Sequence, residues 1–137
     1  MTREIHRDAF AVLRHDQDAG ILELEWTEGS SAMTDDDFMA WLARYADAEE
    51  SLRAPFLVID VRRFAFSPCA HVGPWRDEAI VPRYNAAGVR KFAFLLPPGS
   101  PGTVAVGNEP ALEPPGTFPT GYFDSAEAIR TWFAGSE

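Results

Sequence analysis

The sequence predicts an α/β domain: a mixed sheet of four to five strands, an N-terminal antiparallel hairpin plus a parallel strand–helix–strand unit, with helices packed mainly on one face. Three observations carry the prediction. ILELEW at 21–26 alternates apolar and polar residues, as a strand with one wet side does. PFLVIDV at 55–61 and KFAFLLP at 91–97 are unbroken apolar runs, the pattern of interior parallel strands. Phe38, Trp41, Leu42 and Tyr45 recur at the three- and four-residue spacing of a single helix face.

Taken in order, residues 9–15 and 21–28 form the hairpin, joined at Asp18-Ala19-Gly20, where glycine supplies the positive φ of a tight turn. Leu22, Leu24 and Trp26 then face the core, while Glu23, Glu25 and Thr27 face water, leaving the sheet one uncovered side. Thr34 caps a helix running to about Ser51. Asp35, Asp36 and Asp37 fall in its first turn, where each gains about 0.3–1 kcal/mol from the helix dipole, less their mutual repulsion. A second helical stretch opens near Pro74, is kinked or divided by Pro82 and ends at Gly88. Because it separates two buried strands, a right-handed parallel crossover is expected.

Residues 97–119 hold seven prolines and four glycines and are expected as an ordered surface loop, with room for one short element near 101–107. The chain closes with a short strand at Gly121-Tyr122-Phe123 and a helix capped by Asp124, with Glu127 at capping-box spacing. Ala128, Ile129, Trp132 and Phe133 are its buried stripe.

A length of 137 residues fits one domain, 1–137, that buries roughly two thirds of the surface its unfolded chain exposes. Cys69 is the single cysteine and cannot make an internal disulfide. With no apolar run of about eighteen residues and no basic-then-apolar leader, a cytoplasmic protein without a membrane span is expected. The net charge of −9 is uneven: residues 1–52 hold 13 acids against 4 arginines, and residues 53–137 hold 8 acids against 8 bases. Such a field repels phosphate backbones and anionic lipid, which argues against nucleic acid and against membrane binding by charge. A basic protein partner for the acidic hairpin and first helix stays open, as does a homodimer.

The candidate site is the loop after strand 55–61 with the helix that follows it. Phe64 and Phe66 are apolar residues in a loop, which need a reason to be there. Cys69 and His71 stand just before a helix N-terminus at the carboxyl end of the central strand, where open α/β sheets bind ligands and a helix dipole can lower a thiol pKa. Trp75 and Tyr84 complete the ligand-binding set. Asp60 is expected to pair with Arg62 or Arg63, or to cap nearby N–H groups. No metal site and no cofactor are expected: His6, His15 and His71 lack zinc-ligand spacing, and the aspartate run reads as a helix start. GTVAVGNE lacks the Gly-Lys-Ser/Thr end of a phosphate loop, and no Gly-x-Ser-x-Gly elbow occurs.

The order hairpin, helix, LVIDV, loop, helix, KFAFLLP and then YFDSAEAIRTWF resembles the SpoIIAA-like, or STAS, domain family, and its closing segment resembles the bacterial SpoIIAA-like subgroup. The resemblance implies a small cytoplasmic domain that binds a partner protein or an apolar small molecule. Members that antagonise anti-sigma factors carry a phosphorylated Asp-Ser pair just beyond the strand equivalent to LVIDV. Here those positions hold Pro68 and Cys69, and Ser67 lies two positions before Cys69, so the usual phosphorylatable pair is missing. Three readings follow: a non-enzymatic domain with an apolar, lipid-like ligand in a pocket between sheet and helices; a STAS-type interaction or regulatory module; and a thiol-dependent enzyme using Cys69.

Overall fold

The computed structural model describes residues 2–66, 69–97 and 118–135. Ser67, Pro68 and residues 98–117, which include the short element expected near 101–107, lie outside the described residues. Among those described, six strands make one sheet: β1 (Thr2–Arg7), β2 (Ala11–Asp16), β3 (Ile21–Trp26), β4 (Phe56–Asp60), β5 (Lys91–Leu95) and β6 (Thr120–Phe123). Their order across the sheet is their order along the chain. The first three run antiparallel, and β3, β4, β5 and β6 are parallel to one another. The two apolar runs are thus neighbouring parallel strands, with Leu57 opposite Phe92 and Ile59 opposite Phe94.

The sequence expectation of four to five strands missed β1. Its sequence, TREIHR, has no apolar alternation, and its residues are largely exposed. Backbone pairing with β2 holds it, across a register shift between Glu4 and His6. The β2–β3 hairpin turns as expected, with Gly20 at φ 71° donating its N–H to the Asp16 carbonyl at 2.9 Å.

Four helices complete the described fold: α1 (Asp35–Leu52), α2 (Val72–Ala79), α3 (Val81–Ala87) and α4 (Ala126–Ala134). Thr34 caps α1 in a full capping box. Its hydroxyl accepts the Asp37 N–H at 3.1 Å, and the Asp37 carboxylate accepts the Thr34 N–H at 3.0 Å. Pro82 falls in the first turn of α3, where its missing N–H breaks no helix bond, so it divides the expected helix in two; Gly88, at φ 93°, ends the pair. In α4 the cap is Ser125 and not Asp124. Ser125 is the residue in extended conformation, and its hydroxyl accepts the Ala128 N–H at 3.1 Å.

Helices α1, α2 and α3 cover one face of the sheet, where Leu22, Leu24, Trp26, Leu57, Ile59 and Phe92 meet Trp41, Leu42, Tyr45, Val72 and Tyr84. The Tyr45 hydroxyl lies 2.8 Å from the Leu22 carbonyl and 3.0 Å from that of Val58, so one O–H spans β3 and β4. Helix α4 lies on the opposite face, packing Ile129, Trp132 and Phe133 on Val58, Ala93, Leu95 and Phe123. Apolar residues on both sides of β4 and β5 require cover on both sides. Gly121 keeps that packing close, since a Cβ there would meet the Phe123 ring at 2.6 Å.

Candidate functional site

The loop leaving β4 is built on a fixed base. Asp60, only 1% exposed, accepts the Arg62 N–H at 3.1 Å, and the Arg62 guanidinium grips both its oxygens, at 3.0 and 2.7 Å. The expected pairing with Arg62 is therefore present, and Arg62 caps the carboxylate from both backbone and side chain. Further along, the Ala65 N–H donates to the buried Ser30 hydroxyl at 2.9 Å, tying the loop to the 3-10 turn Glu28–Ala32.

This tether presents the loop aromatics to the end of the core. Phe64 lies 5.2 Å from the Trp26 ring and 5.7 Å from that of Phe38, and Phe66 lies 5.7 Å from Phe38. Both are half-buried, and the Trp26 and Phe38 rings they cover are buried. Trp26 and Trp41 extend the cluster inward, and the Trp41 indole donates to the Asp8 carboxylate at 3.1 Å.

Cys69 and His71 fall in a second group. The Asp35 carboxylate, in the first turn of α1, accepts the Cys69 backbone N–H at 3.1 Å. One donor atom each from Asp35, Cys69 and His71 lie within 4.8 Å of one another. The thiol and backbone of Cys69 hold the Asp35 carboxyl below its usual pKa, and the same carboxylate pushes the thiol upward. Sequence reasoning allowed a helix dipole to lower this thiol; the hydrogen bond to Asp35, and then that carboxylate's charge, act in the opposite direction. The thiol itself is exposed.

Trp75 is half-buried against the helix-covered core. Tyr84 belongs elsewhere, since it is buried between Tyr45, 6.0 Å away, and Phe92 and Phe118, at 5.7 and 6.4 Å, and burial raises its hydroxyl pKa. The structure thus joins Phe64 with Phe66 and Cys69 with His71, and places Tyr84 in the core.

Two charged features escaped the sequence reading. On the second sheet face, donor oxygens of Glu23, Glu25 and Asp60 lie within 4.8 Å of one another. Arg14 donates to Glu25 at 2.7 Å and stands 4.0 Å from Glu23, and burial pushes Glu23 upward. These glutamates are half-buried and engaged with Arg14. Glu49, fully buried on α1, accepts the Ala54 N–H at 3.1 Å, while its other oxygen has no partner among the described residues. Burial pushes its pKa up to about 8. A signal was available, because Glu49 stands four residues beyond Tyr45 on the apolar stripe.

Comparison with protein-family models, with curated proteins and with solved structures found no match to this chain. No helix among the described residues is long and apolar enough to cross a membrane.

Proposed function

We propose that this chain is a small non-enzymatic binding domain of the SpoIIAA-like kind, whose ligand is an apolar, lipid-like molecule held beneath residues 61–66. One observation carries the reading: Phe64 and Phe66 are half-buried on Trp26 and Phe38 at the carboxyl end of β4. Loops at that end of a parallel sheet are where α/β folds receive ligands. The rings rest on one another through aromatic contacts alone, and the Ser30 tether fixes the backbone beside them, so a ligand exchanges one apolar contact for another without breaking a hydrogen bond.

The test is a thermal-shift panel of fatty acids and neutral lipids, together with solvent extraction of freshly purified protein. A ligand at a hundred times its dissociation constant adds about 2.7 kcal/mol to stability. Phe66→Ala should cut that gain by at least half, while Phe133→Leu, on the opposite face, should leave it unchanged. A panel without any shift, together with an extract free of lipid, overturns the reading.

A further inference from the structure

We infer that Asp35, Cys69 and His71 form a three-ligand site for a divalent metal ion of the zinc class, separate from the apolar ligand. The three side chains come from two elements, the first turn of α1 and the segment leading into α2, and they offer three kinds of donor: carboxylate oxygen, thiolate sulfur and imidazole nitrogen. Their donor atoms already lie within 4.8 Å of one another. Zinc bonds of about 2.0–2.3 Å place neighbouring ligands of a tetrahedron about 3.3–3.8 Å apart. Closure therefore asks for roughly 1 Å of side-chain rotation. Cys69 and His71 are exposed and free to make it, while Asp35 is held by the helix and by the Cys69 N–H at 3.1 Å.

The donor set also selects the ion. Magnesium and calcium take shells of oxygen, and a single carboxylate offers too few. Sulfur and imidazole together suit zinc, and cobalt(II) as its spectroscopic stand-in. The metal–sulfur bond forms as the thiol proton leaves to solvent, with no change of oxidation state. Three protein ligands leave the fourth position to water.

The acidic trio of Glu23, Glu25 and Asp60 differs in kind, because its members are already engaged by Arg14 and Arg62. At the proposed site the Asp35 carboxylate instead accepts the Cys69 backbone N–H, at 3.1 Å. The presence of nitrogen and sulfur donors, which prefer metal over water, separates it from a solvated patch of acids.

The experiment titrates reduced, full-length protein with cobalt(II) at pH 7.5. A thiolate-to-cobalt charge-transfer band should rise to saturation at one equivalent and disappear on adding zinc. Cys69→Ser should abolish the band and weaken zinc binding, followed by competition with a chromogenic chelator, more than tenfold. His71→Ala and Asp35→Asn should each weaken zinc binding about tenfold. Cys69 and His71 are exposed, so those variants should keep the parent's melting temperature without metal, which separates ligand loss from unfolding. Absence of the band, or zinc affinity unchanged in Cys69→Ser, overturns the inference. Neither result bears on the lipid panel, since Phe64 and Phe66 contribute no ligand.

Discussion

Along β3, Leu22, Leu24 and Trp26 enter a helix-covered core, whereas Glu23 and Glu25, their immediate neighbours in the chain, lie half-buried beside Arg14, Asp60 and Arg62. The next strand breaks this contrast. Val58, opposite Glu23 in register, shares the glutamates' face but is covered by α4. Strand alternation therefore tells which residues leave the core, but what they meet on leaving depends on a helix that arrives more than sixty residues later.

The comparison is most directly broken at Trp26, which touches Phe38, Trp41 and Phe64 on the helix-covered face. Trp26→Ala should cost about 3–5 kcal/mol in chemical denaturation. A loss below about 1 kcal/mol would mean that the aromatic cluster is not what holds that end together.

Glu49 sharpens the comparison from the other side, as a carboxyl on the apolar stripe of α1. Its folded pKa, about 8, lies above its ordinary value of 4.5, so the folded protein binds the proton more tightly than the unfolded chain does. Stability from this group is thus fully present below pH 4.5 and is lost as pH rises towards 8, with a slope of at most about 1.4 kcal/mol per pH unit. Denaturation midpoints measured from pH 5 to 8 should fall for the parent, and Glu49→Gln should flatten that dependence and gain on the parent at the alkaline end.

On the charged face the effects should be smaller and graded by burial. Arg62→Ala leaves the buried Asp60, among the described residues, with the residue 62 N–H alone and should cost about 1–2 kcal/mol, reduced because the guanidinium is half exposed. Arg14→Ala, which frees two half-buried glutamates, should cost about 0.5–1 kcal/mol. Urea titration of both variants tests the order, and the reverse order would mean that the network is organised around Glu25 and not around Asp60.

Much of the fold was legible because its signals are local. The Thr34 cap, the division at Pro82, the Gly88 stop and the two apolar strands each depend on residues within a turn or two. Strand β1 was illegible because its residues are mostly exposed, and beyond the contact of His6 with Trp41 it is backbone pairing that declares it. At the opposite end of the chain, the stripe of α4 was visible, but the face it would cover was not. The same distinction holds at the candidate site. Phe64 and Phe66 were conspicuous as apolar loop residues, while Asp35 is separated from Cys69 by 34 positions and looks in sequence like any acid in a first helical turn. The burial of Tyr84 among Tyr45 and Phe92 was not legible, because an aromatic on a helix reads the same whether it lines a pocket or fills a core.

The agreement between chain order and sheet order carries a consequence for how the protein is made. Each new strand emerging from the ribosome finds its neighbour already laid down, and none must be threaded between two that came earlier. Synthesis can therefore build the sheet outward from the hairpin, one growing border at a time.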